Sequence, residues 1–166
     1  EGKKNPWGIH QKQTGADKLT LGGALAANVH GRGLTLRPIV EDVVSFGLVN
    51  GDGRQIRCSR TENPELFSLV IGGYGLFGVI TEITLQLAPR TKLERKVEIL
   101  ELRDVPSRVE QRIREGYLYG DFQFKTNEKS ADFMKVGVFS FYRPVSMDTV
   151  ISPRQLQLTD EAWAEI

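Results

Sequence analysis

The clearest alternation of apolar and polar positions in the chain begins at Val79. Val79, Thr81, Ile83, Leu85 and Leu87 interleave with Ile80, Glu82, Thr84 and Gln86, the period of two that marks a β-strand, and Pro89 predicts its end. An earlier run, residues 43–49, is rich in β-branched and aromatic side chains, with Val44, Phe46 and Leu48 on one face at the period of two. Asn50-Gly51-Asp52-Gly53 follows, a turn in which Asn-Gly and Asp-Gly both suit positive φ. Residues 54–58 then predict the returning strand of a hairpin, with Ile56 inward. Leu66, Phe67, Val70 and Ile71 recur at helical spacing behind Asn63-Pro64-Glu65. There Asn caps, Pro fits the first helical position and Glu favours the positive end of the helix dipole. Gly72-Gly73 predicts the stop. Upstream, Lys18-Leu19-Thr20-Leu21 predicts a short strand, and residues 24–29 a helical turn or two. Residues 1–18 read as polar and irregular, anchored only by Trp7 and Ile9.

Beyond Pro89 the texture changes. Residues 92–102 are charged but strand-like, with Val97 and Ile99 on one face. Residues 106–115 predict an amphipathic helix ended by Gly116, and residues 119–125 and 133–142 two aromatic-rich strands. Cues are few from Pro144 onward. Phe122, Phe124, Phe139, Phe141 and Tyr142 read as core between strands, or as the lining of a pocket. The pattern predicts an α+β fold, with a mixed sheet and helices in residues 1–90 and an antiparallel sheet opening in residues 91–166.

Composition narrows the function classes. The formal net charge of +1 gives no electrostatic reason to expect nucleic acid or an anionic membrane as partner. No apolar run approaches the ~20 residues of a membrane span. Cys58 is the only cysteine, so an internal disulfide is impossible and a cytoplasmic setting is expected. Two histidines, His10 and His30, and one cysteine offer no metal-ligand cluster, and no serine sits in a nucleophile-elbow pattern. Arg54, Arg57 and Arg60 read as a solvated strand face.

Two glycine clusters remain. The first is Gly22-Gly23-Ala24-Leu25-Ala26-Ala27-Asn28-Val29-His30-Gly31-Arg32-Gly33. Glycines this dense serve tight packing of elements, or close approach of a ligand to backbone N–H groups at a helix start. The second, Gly73-Tyr74-Gly75-Leu76-Phe77-Gly78, matches G-x-G-x-x-G. A dinucleotide fingerprint needs a strand before these glycines and a helix after them. Here the predicted order is helix, glycines, strand, so the negative end of a helix dipole would face a phosphate. That excludes the Rossmann reading and leaves a helix-to-strand turn, with strand main-chain groups free to bond a flat heterocycle.

Taken together, Leu19-Thr20-Leu21-Gly22-Gly23 through Gly33, Asp42-Val43-Val44-Ser45-Phe46, the Asp52-Gly53 turn, Pro64-Glu65-Leu66-Phe67 and Gly72-Gly73 through Glu82 resemble the second half of the FAD-binding domain of the vanillyl-alcohol oxidase / p-cresol methylhydroxylase superfamily. Within it the look is closest to sugar and polyol oxidases and decaprenylphosphoryl-ribose oxidases. The resemblance covers residues 15–90. It implies a partial PCMH-type FAD-binding domain in residues 1–90 and the start of a substrate or cap domain in residues 91–166. It implies FAD as cofactor. Thr20, Gly22, Gly23, Ala26 and Asn28 would lie near the pyrophosphate, Val29, His30 and Gly31 near the ribityl chain and flavin, and Val79 and Ile80 at the adenine end. The family's upstream Arg/Gly-rich phosphate loop has no counterpart before Gly15, so the chain is expected to be a fragment, with self-association through open strand edges. The implied activity is hydride transfer from a small alcohol or sugar-type substrate to flavin, with no catalytic residue assigned. Two alternatives stand beside it: an interaction module that keeps the fold without flavin, and a phosphate-binding module of unrelated fold.

Overall fold

Backbone pairing around Val43 organises the first part of the chain. The computed structural model describes residues 6–11 and 18–150, and the expectations for residues 1–5, 12–17 and 151–166 lie outside the described residues. The chain divides into two units, Glu1–Arg90 and Thr91–Ile166.

The first unit runs β1 (Trp7–Gly8), α1 (Leu21–Ala26), a 3-10 turn (Ile39–Asp42), β2 (Val43–Val49), β3 (Gln55–Ser59), α2 (Pro64–Val70), β4 (Val79–Leu85) and β5 (Ala88–Pro89). Strands β3, β2 and β4 form one sheet in that order, and β1 pairs with β5. Every pairing is antiparallel, which corrects the expected mixed sheet. The Asn50 turn closes as the sequence predicts: Asn50 Oδ1 accepts from the N–H groups of Asp52 and Arg54 at 3.1 and 2.9 Å. Core side chains are Leu25, Ile39, Val43, Phe46, Leu48, Cys58, Phe67 and Val70, with Ile56, Ile80, Ile83 and Leu85 packed against them. Phe46 and Phe67 stack with ring centroids 5.4 Å apart. Burial pushes the Cys58 thiol up from its usual value, and Glu62 nearby adds to the effect. The thiol stays protonated and serves as a small apolar filler rather than a nucleophile.

Two bulges break the expected alternation. Val43 pairs with Leu85 but Ser45 with Thr84, so Val44 is an extra residue on β2 and turns outward. Gly47 pairs with Glu82 but Leu48 with Ile80, so Thr81 is extra on β4. The inward set on β4 is therefore Ile80, Ile83 and Leu85, while Val79 faces out. The strand also ends at Leu85 rather than Pro89. The Gln86 N–H donates to Asp42 O at 2.7 Å, and Pro89 sits in the separate short strand β5.

The second unit runs β6 (Lys92–Glu101), α3 (Val105–Arg114), β7 (Tyr119–Phe124) and β8 (Val136–Val145), with antiparallel strand order β6-β8-β7. Phe139 and Phe141 are buried, and Phe122 meets Phe139 edge-on. Tyr142 alternates to the other face, where Arg95 lies over its ring. The buried Arg112 of α3 lies over the Phe141 and Tyr117 rings and pairs with Glu98 and Glu115. Val97 and Ile99 share a face as the period predicts, and that face is exposed. No described helix is long and apolar enough to cross a membrane.

Candidate functional site

Thr20 shapes the start of the site. Its extended backbone (φ −72°, ψ 150°) leads into α1, and its Oγ1 accepts from the Gly23 N–H at 3.0 Å, the N-cap bond that satisfies an otherwise orphaned donor. The short strand expected over residues 18–21 is absent because Leu21 is already helical. The cap also changes the donor inventory. The N–H of Gly23 is taken by Thr20 Oγ1 and that of Ala24 by Thr20 O at 2.9 Å, so these two do not point free toward an anion.

The burial of Ala24 and Leu25 fixes α1 on the core. The helix closes by Asn28 N–H donating to Leu25 O at 2.9 Å and Val29 N–H to Ala24 O at 3.0 Å. Asn28 takes φ +44°, the left-handed geometry that asparagine tolerates better than most residues. Its Oδ1 is buried without a hydrogen-bond partner among the described residues.

The second glycine segment lies against the end of α1. Gly72 N–H donates to Leu25 O at 3.1 Å and Tyr74 N–H to Ala26 O at 2.9 Å. The observed order is α2, glycines, β4, in agreement with the exclusion of a Rossmann turn. Asn63 does precede Pro64, but its side chain does not cap α2: it takes φ +48°, and its Nδ2 donates to Arg57 O at 2.8 Å.

These elements enclose a cavity of about 320 Å³ lined by Thr20, Gly22, Gly23 and Ala26 on one side and by Val79 and Ile80 of β4 on another. Val70, Tyr74, Gly75, Phe77 and Gly78 complete it. No charged side chain lines it; its side-chain polar groups are the Thr20 and Tyr74 hydroxyls. Such a lining suits a flat, largely apolar ring that makes a few hydrogen bonds. No group of His, Cys, Asp and Glu able to hold a metal exists among the described residues.

Six candidate residues therefore meet at one cavity: Thr20, Gly22, Gly23, Ala26, Val79 and Ile80. Asn28, Val29, His30 and Gly31 do not line it. Val29 instead packs against the core, and its carbonyl accepts from the Ile39 N–H at 3.0 Å. His30 is exposed, with its Nδ1–H donating to Gly31 O at 3.0 Å. Sequence reasoning missed Val70, Tyr74, Gly75, Phe77 and Gly78. The available signal was the G-x-G-x-x-G spacing, whose loop was read only as a turn.

No family model matches the chain. Among curated proteins it is similar to cytokinin dehydrogenase 5 of Arabidopsis thaliana, 37% identical over 83 residues, 49% of this chain and 15% of the relative. It is 45% identical over 74 residues to cytokinin dehydrogenase 8 of Oryza sativa subsp. japonica, 43% of this chain and 14% of the relative. It is 38% identical over 85 residues to the mitochondrial L-galactono-1,4-lactone dehydrogenase of Arabidopsis thaliana, 51% of this chain and 14% of the relative. The aligned stretches thus span about half of this chain and only a small part of the relatives' length.

Proposed function

We propose that the cavity between α1 and β4 takes a ring portion of FAD, and that the chain supplies one wall of the cofactor site of an FAD-dependent oxidoreductase. The observation that carries this reading is the convergence of Thr20, Gly22, Gly23, Ala26, Val79 and Ile80 on a single cavity. Similarity to proteins named as dehydrogenases supports it. The substrate class is a small alcohol or sugar-type molecule, with the PCMH-type arrangement as the parent architecture.

The residues present fit part of such a cofactor. A cavity of about 320 Å³ is at the small end of ligand pockets, roughly 300–1,000 Å³, and matches one ring of a dinucleotide rather than the whole. A Cβ at Gly23 would sit 3.0 Å from Thr20 Oγ1, and one at Gly22 would sit 3.4 Å from Ile80 O. Larger side chains there would close the wall. The Thr20 oxygen spends a lone pair on the Gly23 N–H, which leaves its O–H to donate to a ligand acceptor. Ala26, Val79 and Ile80 supply apolar contact that excludes water, and whichever of Val79 and Ile80 turns its N–H and C=O away from β2 would supply edge hydrogen bonds to the ring. Asn28 Oδ1, buried and unpartnered among the described residues, would accept from a donor brought next to the α1 terminus. Val29, His30 and Gly31 lie outside the cavity lining and would meet only a part of the cofactor that extends beyond it, His30 being the exposed one of the three. When bound, the flavin would supply the hydride-accepting chemistry, and the residues of this chain would bind and orient it.

Titration with FAD tests the reading. Saturable quenching of flavin fluorescence and a rise in Tm are expected, because a ligand held only by the folded state stabilises it. Ala26→Leu, which fills the cavity, is expected to weaken FAD binding about tenfold, the affinity equivalent of about 1.4 kcal/mol, with an unchanged far-UV circular dichroism spectrum. A protein that neither quenches FAD nor gains Tm from it overturns the proposal. Stabilisation by inorganic phosphate but not by FAD points to a phosphate-binding module instead.

One observation favours a second reading. Tyr74 and Leu76 at the rim are 80% and 85% exposed, the kind of apolar surface that protein partners cover. Failure of FAD binding makes an interaction module without flavin the better account.

A further inference from the structure

The loop between α2 and β4 turns left-handed repeatedly. Gly72, Tyr74, Gly75 and Gly78 have φ of +78°, +50°, +82° and +138°. Glycine takes this conformation without steric cost. A bulky side chain does not, so the Tyr74 backbone is strained. Hydrogen bonds impose the path. Gly72 N–H donates to Leu25 O at 3.1 Å and Tyr74 N–H to Ala26 O at 2.9 Å, which ties the loop to the end of α1. Leu76 N–H then donates back to Gly73 O at 3.0 Å. A glycine at position 74 would follow the same path more easily.

Packing within the unit does not offset that strain. Tyr74 is 80% exposed, and among the described residues its ring stacks on no other ring and its hydroxyl makes no hydrogen bond. Backbone strain that the fold does not use is a pointer to a ligand. The position supports this. Tyr74 lines the cavity between α1 and β4, whereas Leu76, in the same loop and equally exposed, does not. Ala26, Val79 and Ile80 offer that cavity apolar contact, and no charged side chain lines it. An aromatic ring adds stacking, which holds any flat heteroaromatic ligand because each has a π-face. Tyrosine has only two side-chain torsions, so ordering its ring against a ligand costs little entropy.

We propose that Tyr74 is a stacking residue, whose ring turns onto the face of a heteroaromatic ring held between α1 and β4. This rests on the reading of the cavity as the place of a ring portion of FAD, and it adds the side chain that covers that ring.

FAD affinity and ligand-free Tm, measured on the same variants of the 166-residue protein, test it together. Tyr74→Ala is expected to weaken FAD binding about tenfold. Tyr74→Phe, which keeps the ring and loses the hydroxyl, is expected to stay within about twofold of wild type. Leu76→Ala, in the same loop but outside the cavity, is expected to leave the affinity unchanged. Tyr74→Gly separates binding from folding. It is expected to lose as much affinity as Tyr74→Ala while its Tm, without ligand, equals or exceeds that of wild type, because the backbone strain is relieved. A lower Tm in Tyr74→Gly would mark the tyrosine as a structural residue and overturn the proposal. So would wild-type affinity in Tyr74→Ala, which leaves the cofactor reading of the cavity standing. Equal losses in Tyr74→Ala and Leu76→Ala would also overturn it, in favour of a loop surface that is covered as a whole. If the wild-type protein does not bind FAD, the stacking role falls together with the cofactor reading.

Discussion

Gly73, Gly75 and Gly78 match a nucleotide-binding spacing, yet each has a structural reason to be glycine. A Cβ at Gly73 would meet Leu69 O at 2.3 Å, and one at Gly78 would meet Val49 O at 2.3 Å with φ at +138°. Gly75 has open space around it and only a positive φ of +82°. The three positions therefore separate steric from conformational need. Gly78→Ala is expected to lower stability by about 2–3 kcal/mol or more, since strain and a backbone clash combine. Gly75→Ala is expected to cost about 1 kcal/mol, the left-handed penalty alone. Chemical denaturation of both variants checks the order, and equal losses would refute it. His30 makes the complementary case. Exposed and, among the described residues, bonded to its neighbour's carbonyl, it is expected to tolerate alanine within about 0.5 kcal/mol of stability. Any change of FAD affinity in His30→Ala then reports cofactor contact rather than folding. The sequence could mark these glycines as unusual but not say why, because the clashes involve Leu69 and Val49, whose positions only the folded chain defines.

Elements were most legible where one local signal dominated. The Asn50 turn, the stop of α2 at Gly72 (φ +78°) and the end of α3 before Gly116 (φ +83°) follow from turn and cap chemistry within a few residues. Strand faces were less legible, because strict alternation assumes an uninterrupted ladder. The extra residues Val44 and Thr81 invert the faces on one side of each bulge, and nothing local announces them: both are good strand formers. The same limit touches the candidate site, where the bulge at Thr81 leaves Ile80 inward and Val79 exposed. Thr20 was misread as part of a strand because its capping role depends on the helix that follows it. A paired substitution tests the bulge on β2. Val43→Thr is expected to cost about 1–3 kcal/mol, because it buries a hydroxyl in the core. Val44→Thr is expected to stay within about 0.5 kcal/mol, as an exposed strand position should. Comparable losses at the two sites would mean that Val44 faces inward after all.

At the scale of the molecule, the two units rest on different physics. The first is held by an apolar cluster of Leu25, Phe46, Leu48, Phe67 and their neighbours. The second adds a buried cation: Arg112 lies over the Phe141 and Tyr117 rings and pairs with Glu98 and Glu115. Glu98 keeps Arg108 when Arg112 is removed, so Arg112→Ala is expected to cost up to about 3 kcal/mol, mostly through the side chain lost from the Phe141 and Tyr117 rings, and Arg112→Met, which retains an apolar stem there, should cost less. Acid should discriminate the units in the same way. Hydrogen bonds from Arg112 and then Gln111 hold the Glu115 carboxyl below its usual range. In the unfolded chain it titrates at about 4.3. A group whose pKa is depressed by folding stabilises the fold fully above the unfolded value, and that contribution is lost as pH falls through the lower folded value. Stability of the second unit should therefore decline below about pH 4.3, while Arg112 stays charged beside a carboxylate that no longer answers it. Hydrogen exchange followed by mass spectrometry across this range reads both units in one sample. Peptides from β6, α3 and β8 are expected to lose protection at higher pH than peptides from β2 and β3. In Glu115→Gln, which cannot titrate, the separation should narrow. Simultaneous loss in both units, or a separation untouched by Glu115→Gln, would show that the Arg112 cluster does not set the acid limit of the fold.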